Sequence, residues 1–131
     1  MEPPHNVLIK KYAITIPEHC TTSVRPILDI AALCSRISAL CFEPELPDRK
    51  LKVLEYLEAT KLDIRRDLAS NSKEKEEVFE YALASLGEAS DQVYEDNWNA
   101  AGETLINTGV DMEKCVILEA AHCVCSARKE S

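Results

Sequence analysis

The apolar positions along most of this chain recur at the spacing of an α-helix. Between positions 27 and 41 the apolar residues lie three or four apart, so they share one helical face. We predict a first helix over 23–42, with Ser23 as its N-cap and Pro26 in its first turn, where a proline is tolerated. The residues that form its apolar face are Ile27, Ile30, Cys34, Ile37 and Cys41.

A turn and a second helix follow. Pro44 and Pro47 are three positions apart and cannot both lie inside a helix, so residues 43–47 are predicted to form a turn. Asp48 then caps a helix that ends near Ser70. Residues 71–72 leave a joint of two residues, which predicts an antiparallel helical hairpin. The main apolar stripe of the second helix is Val53, Leu54, Leu57, Ile64 and Leu68.

The second half of the chain keeps a helical period from about residue 73 to residue 106. Gly87 and Ser90 are suited to end one helix and cap another, so the pattern leaves open one kinked helix or two. Residues 107–109 are predicted to end this segment, before a last helix over 111–128. That helix is apolar around most of its circumference, which is typical of the centre of a bundle or of an oligomer interface.

Residues 7–16 form the segment with strand character, because Tyr12, Ile14 and Ile16 alternate with Ala13 and Thr15. A single strand leaves its backbone groups without partners, so the segment is predicted to lie along the helices as an extended arm or to pair with another chain. The predicted fold is therefore an all-α antiparallel bundle of four to five helices with an N-terminal extended arm. Its divisions are the arm at 1–22, a single helical-bundle domain at 23–128 and a tail at 129–131.

Composition narrows the class of protein. The chain has 131 residues, 46% of them hydrophobic, which fits one domain with a core and argues against intrinsic disorder. No run of about 18 apolar residues is present to cross a bilayer. The N-terminus lacks the basic, apolar and small-residue order of a secretory signal, so we predict a cytoplasmic protein. Its six cysteines are predicted to be reduced.

Charge is distributed unevenly. The net charge of -8 opposes binding to a nucleic acid backbone. Residues 72–109 carry two basic and nine acidic groups, so nearly all of the imbalance lies in this segment. Such a face is suited to dock a basic protein partner, or it is a solvated surface that keeps the protein soluble. The predicted partner-binding residues are Glu76, Glu80, Asp91, Glu95 and Trp98, the tryptophan being either an interface anchor or part of the core.

The last helix carries the sharpest group of chemically active side chains. Cys115, Glu119 and His122 are spaced to project from one side, and Glu119 with His122 forms the E-x-x-H spacing of di-iron bundles. Those bundles need two such motifs and more carboxylates, whereas this chain has one motif and three histidines. The three residues are therefore weak candidates for a metal site, with a solvent-facing stripe as the alternative. No catalytic or phosphate-binding motif is present, and no cofactor is expected.

Together these patterns favour a small acidic, non-enzymatic protein-interaction domain of the adaptor, inhibitor or immunity type. It would dock a basic partner through the 72–109 segment. One alternative is a homodimeric structural or assembly protein, built through the last helix and the 7–16 arm. A second is a metal-binding helical bundle that uses Cys115, Glu119 and His122. Neither a nucleic acid nor a membrane is expected among its partners.

Overall fold

A computed structural model describes residues 18–70 and 76–130, with side chains described for 25–69 and 76–118. Within those ranges the chain forms four helices: α1 (Glu18–Cys41), α2 (Arg49–Ser70), α3 (Glu76–Tyr94) and α4 (Trp98–Glu130). They form a helical bundle, which confirms the predicted all-α class. The predicted arm at 7–16 and the joint at 71–72 lie outside the described residues.

Helix α1 begins five residues before the predicted N-cap, so the prediction for Ser23 is wrong. Pro26 consequently lies in the third turn rather than in the first. A proline there removes one backbone hydrogen bond, at a cost of about 3 kcal/mol. Burial offsets this loss, because Ile27, Leu28 and Ile30 are each at most 3% exposed and each contributes about 1.5–3 kcal/mol. The packing of α1 against the bundle therefore outweighs the tendency of Pro26 to break the helix.

The turn between α1 and α2 follows the prediction. Phe42 and Glu43 donate their backbone N–H groups to the carbonyls of Ala39 and Leu40, which ends α1 in a tight turn. Asp48 adopts a left-handed conformation with φ of 55°, and its carbonyl accepts the N–H of Lys52 at 2.9 Å, the first hydrogen bond of α2. The predicted stripe faces inwards: Val53, Leu57 and Ile64 are buried, while Leu54 and Leu68 are half-buried against them.

The boundary between α3 and α4 lies at residues 95–97, and not at Gly87 or Ser90. Asp96 is left-handed with φ of 58°; its N–H bonds to the carbonyl of Val93, and the N–H of Asn97 bonds to that of Gln92. This pair of bonds is a Schellman ending. Asn97 then caps α4, its side-chain oxygen accepting the N–H of Ala100 at 3.4 Å. The segment is thus two helices joined by the turn at residues 95–97.

Helix α4 continues through residues 107–109, which corrects the prediction that these residues end a helix. The Thr108 hydroxyl donates to the carbonyl of Thr104 at 2.7 Å, within its own helix. Gly109 faces α1, where an added Cβ would lie 3.4 Å from the backbone oxygen of Ala31 and 3.8 Å from Cβ of Cys34. The glycine serves a close approach of two helices, and therefore does not act as a terminator.

The four helices contact one another in a ring: α1 with α2, α2 with α3, α3 with α4, and α4 with α1. The α1–α4 contact is the most extensive of these four, and the α1–α2 contact is the least extensive. One core runs through the ring. Its fully buried large side chains include Ile27, Leu28, Leu57, Ile64, Phe79, Leu86, Leu105 and Met112.

Candidate protein-interaction surface

The acidic residues of α3 lie on its solvent side. A helix turns by about 100° per residue, so the buried Ala82, Leu86, Ala89 and Val93 occupy one side, and the acidic positions fall on the other. We call the exposed carboxylates of this side the acidic face; they are Glu76, Glu77, Glu80, Glu88, Asp91 and, in the following turn, Glu95. Four of the five predicted partner-binding residues, Glu76, Glu80, Asp91 and Glu95, therefore share one surface.

No described lysine or arginine forms an ion pair with a carboxylate of the acidic face. Residues 76–97 themselves include no basic residue. Like charges one turn apart on a helix destabilise it by a few tenths of a kcal/mol per pair. Within the described residues, the acidic face therefore carries a single sign of charge that no ion pair balances.

Two exposed tyrosines flank the acidic face, and the sequence analysis did not single them out. Tyr81 is 43% exposed and Tyr94 is 64% exposed. The Tyr81 hydroxyl donates a hydrogen bond to the Asp111 carboxylate of α4, and this bond, followed by partial burial, raises the pKa of Tyr81. The Tyr81 ring is thereby tied to α4. The available signal was their spacing, because each follows an acidic residue by three or four positions.

Trp98 lies at the end of the bundle, half-buried against the core. The guanidinium carbon of Arg49 is 3.8 Å from the centroid of its ring, a cation–π contact. Arg49 also donates to the carbonyl of Cys41 at 3.0 Å, so one side chain links the ends of α1 and α4. Trp98 therefore has core contacts on the inside and a cation over its ring, while its role as a partner anchor stays a prediction.

Lys50 marks the end of the acidic face. Its ammonium group donates to the carbonyl of Tyr94 and to Oδ1 of Asp96, both at 3.2 Å. The first bond satisfies a carbonyl at the C-terminus of α3, and the second balances the charge of Asp96. Asp96 is consequently excluded from the acidic face as defined above.

Of the three predicted metal ligands, only Cys115 has a described side chain, and it is half-buried. The side chains of Glu119 and His122 lie outside the described residues. Among the side chains that are described, no group of three histidine, cysteine, aspartate or glutamate residues is arranged to hold a metal ion. The metal site at Cys115, Glu119 and His122 therefore stays a prediction.

Cys34 and Cys41, the two α1 cysteines whose side chains are described, are free thiols within the core. Burial raises the pKa of Cys34 to about 12. Burial also raises the pKa of Cys41, to about 11, although the positive charge of Arg49 opposes this shift. Only the thiolate form acts as a nucleophile or a metal ligand, and both groups stay protonated near neutral pH, so both are unreactive there. They act as small core side chains.

A groove runs along the α1–α2 contact. One half has a volume of about 330 Å³ and is largely apolar, with Leu33, Ile37 and Leu40 on one wall and Tyr56 and Ala59 on the other. The other half, of about 250 Å³, is bordered by charged residues of both helices. Leu33, Thr60 and Asp63 line both halves, so the groove is continuous.

Comparison with known proteins adds no relative to this description. No protein family, curated protein or solved structure matches the chain. None of the described helices is long and apolar enough to cross a membrane. The candidate surface therefore stands on its own charge and geometry.

Proposed function

We propose that this chain is a non-enzymatic protein-interaction domain that binds a basic protein partner through the acidic face of α3. The observation that carries the proposal is the set of six exposed carboxylates on one side of the bundle, with no basic residue among them. An adaptor, an inhibitor or an immunity-type protein would each use such a surface. A cytoplasmic location and the absence of a cofactor belong to the same proposal.

The arrangement of charge favours docking over general solubility. Helix α2 mixes both signs, with ion pairs such as Lys61–Glu58 and Arg66–Asp63 at 2.9 Å. Helix α3 has no such mixture, although mixed charges would keep the protein equally soluble without self-repulsion. A surface of one sign accelerates association with an oppositely charged partner, and this acceleration falls as salt rises.

The two exposed tyrosines add a means of specific recognition. Tyrosine combines apolar contact area with a polar end, and it is enriched at protein interfaces. Tyr94 is exposed beside Asp91, and Tyr81 is held between the acidic residues Glu77 and Glu88 along the helix. The partner that fits is therefore a surface with lysine or arginine side chains flanked by apolar contact area.

Charge removal tests this function. The test variant replaces four residues of the acidic face, as Glu76→Gln, Glu80→Gln, Asp91→Asn and Glu95→Gln. The control variant removes four exposed charges from elsewhere, as Glu43→Gln, Glu45→Gln, Glu55→Gln and Glu58→Gln. Each protein is immobilised, and the captured proteins are identified by mass spectrometry at low and at high salt.

We expect the native chain and the control to capture the same basic protein, with capture falling at high salt. The test variant should lose it, because a rim charge acts mainly on association and on salt dependence. Equal capture by the test and control variants would remove the acidic face from the function. Circular dichroism of all three proteins checks that the helices remain.

A homodimeric assembly is the second candidate, and an exposed apolar side chain on α4 favours it. Leu118 is 71% exposed next to the half-buried Ile117. Native mass spectrometry of untagged, reduced protein decides this point. A monomer mass at all concentrations removes the dimer, and a mass offset of one metal per chain would return attention to Cys115, Glu119 and His122.

A further inference from the structure

The apolar half of the α1–α2 groove has the size and the lining of a site for a small molecule. Its volume of about 330 Å³ lies at the lower end of the range for ligand pockets. Ile37 is buried, Leu33 and Leu40 are half-buried, and Tyr56 is 52% exposed, so apolar surface meets water here. A ligand that covers these side chains would gain the free energy of removing that surface from water.

The same dimensions fit a protein partner poorly. On α1 the apolar half extends from Leu33 to Leu40, seven positions or about 10 Å along the helix. A specific protein–protein interface removes about 800 Å² from each partner, which needs a much longer apolar surface. Beyond Leu33 the groove continues mostly between charged side chains, so it offers no such extension.

The charge within the apolar half comes from Arg36. Its side chain is exposed, and among the described residues it has neither an ion pair nor a side-chain hydrogen bond. Asp63 lines the same half, but its Oδ1 accepts a hydrogen bond from Arg66 at 2.9 Å, so this carboxylate is paired. The Thr60 hydroxyl donates to the carbonyl of Tyr56 at 2.8 Å, within its own helix. A ligand would therefore meet a cation that has no partner.

We propose that the apolar half of the groove binds a small amphipathic carboxylate, a molecule with an alkyl chain and an ionised acid group. The acid group would accept hydrogen bonds from the Arg36 guanidinium, whose planar fork matches the two carboxylate oxygens. The alkyl chain would lie against Ile37, Leu40 and Tyr56. A neutral or cationic head group would leave the guanidinium without a partner, so charge is the source of selectivity.

The position of Arg36 suits both contacts. It lies three residues after Leu33 and four before Leu40, so the three side chains are neighbours on one side of α1. The aliphatic stem of the arginine can therefore pack along the leucines, while its charge stays at the edge of the groove. The acid group of the ligand would consequently remain at the boundary with water, where a carboxylate avoids most of the cost of burial.

The test titrates the full chain with octanoate, octanol and octylammonium, three probes that share one alkyl chain and differ in their head group. Decanoate serves as a fourth probe, with a longer chain and the same head group as octanoate. Methyl NMR spectra measure each affinity, and the signals of Leu33, Ile37 and Leu40 show whether the probe lies in the groove.

Three variants alter the site and two serve as controls. Arg36→Gln removes the cation, Arg36→Lys keeps a positive charge, and Ala59→Leu fills the apolar half. Arg65→Gln and Ala39→Leu make the same kinds of change at exposed residues that do not line the groove. Circular dichroism checks that the helices remain in each variant.

We expect the native chain to bind octanoate about fivefold more tightly than octanol, and octylammonium least tightly of the three, with the methyl signals of the groove shifted. Decanoate should bind about tenfold more tightly than octanoate, because two further methylene groups are removed from water.

Arg36→Gln should weaken octanoate binding about fivefold and leave octanol binding within about twofold, and Arg36→Lys should recover most of the loss. Ala59→Leu should weaken both probes about tenfold, because its side chain occupies the space of the alkyl chain. Both control variants should bind as the native chain does. The variant that removes four charges from the acidic face should do so as well, so this proposal and the proposed function fail independently.

Equal binding of octanoate and octanol, with no effect of Arg36→Gln on either, would overturn the proposal. So would an absence of binding by octanoate and decanoate, or methyl shifts confined to residues outside the groove. Native mass spectrometry of the same samples covers another occupant. A dimer mass that Ala59→Leu abolishes and octanoate leaves unchanged would assign the groove to a second copy of the chain instead.

Discussion

Helix α1 has two contrasting sides. On the side of α4 the backbones approach closely at Gly109, where even an added methyl would touch the carbonyl of Ala31 at 3.4 Å. On the side of α2 the larger side chains of Leu33, Leu40 and Tyr56 line a groove of about 330 Å³. The comparison indicates that small residues, more than large apolar ones, decide where this bundle is fully closed.

The largest loss of stability should come from adding a larger side chain where α1 meets α4, which we call the closed side of α1; the side that faces α2 is its open side. Gly109→Leu would push a branched side chain into the backbone of α1, which cannot move without shifting the helix. We expect a loss of about 1–3 kcal/mol in the free energy of unfolding, the range for overpacking a well-packed core. Chemical denaturation followed by circular dichroism measures it.

Gly109→Ala is the matched control, because its Cβ would make an ordinary contact and an alanine favours the helix by about 1 kcal/mol. Its stability should equal or exceed that of the native chain. If Gly109→Leu proved as stable as Gly109→Ala, the close approach of α1 and α4 would be wrong.

The second effect concerns Cys34, which lies on the closed side and is fully buried. Its pKa is about 12 in the folded chain, against 9.0 as the ordinary value. The folded state therefore keeps its proton, whereas the unfolded state ionises above pH 9, so this contribution to stability is complete below pH 9 and is lost as the pH rises towards 12.

We expect the free energy of unfolding to fall by about 1 kcal/mol from this thiol between pH 8 and pH 10. Cys34→Ala provides the comparison, because lysine and tyrosine residues titrate equally in both proteins. The native chain should lose more stability than Cys34→Ala over this range. Parallel curves would indicate that Cys34 is accessible to water.

Much of the bundle was predictable from the sequence because its signals were local. Pro44 and Pro47 break any helix, so the first turn was found, and the period of Val53, Leu57 and Ile64 identified the inner side of α2. Gly109 misled the prediction and Gly87 left it open, since a glycine can either end a helix or allow a close contact between helices. Only the position of α1 distinguishes the two uses at Gly109.

The charge of the candidate surface was predictable from the sequence, but its contacts with the other helices were not. A helical period alone places Glu76, Glu80 and Asp91 on one side of α3. The contact of Arg49 with Trp98 joins residues 49 positions apart, and the bond of Tyr81 to Asp111 joins two helices. Such contacts depend on the packing of whole helices, and no local pattern encodes them.

The third prediction concerns Gly87→Ala, which measures helix propensity alone and so serves as the reference for Gly109→Ala. Gly87 lies inside α3, and an added Cβ there would have no atom within 4 Å. Gly87→Ala should therefore stabilise the chain by about 0.5–1 kcal/mol through helix propensity alone. Thermal denaturation measures this gain, and subtracting it from the result for Gly109→Ala isolates the contact with α1. A loss of stability on Gly87→Ala would mean that residue 87 touches something beyond its own helix.

The smallest effect should come from adding the same side chain to the open side of α1. Ala59 is exposed and lines the groove, so Ala59→Leu adds its carbons to existing space. We expect the free energy of unfolding to change by at most about 0.5 kcal/mol, as for a surface substitution, against the much larger loss for Gly109→Leu. A loss as large as that of Gly109→Leu would show that both sides of α1 are equally closed.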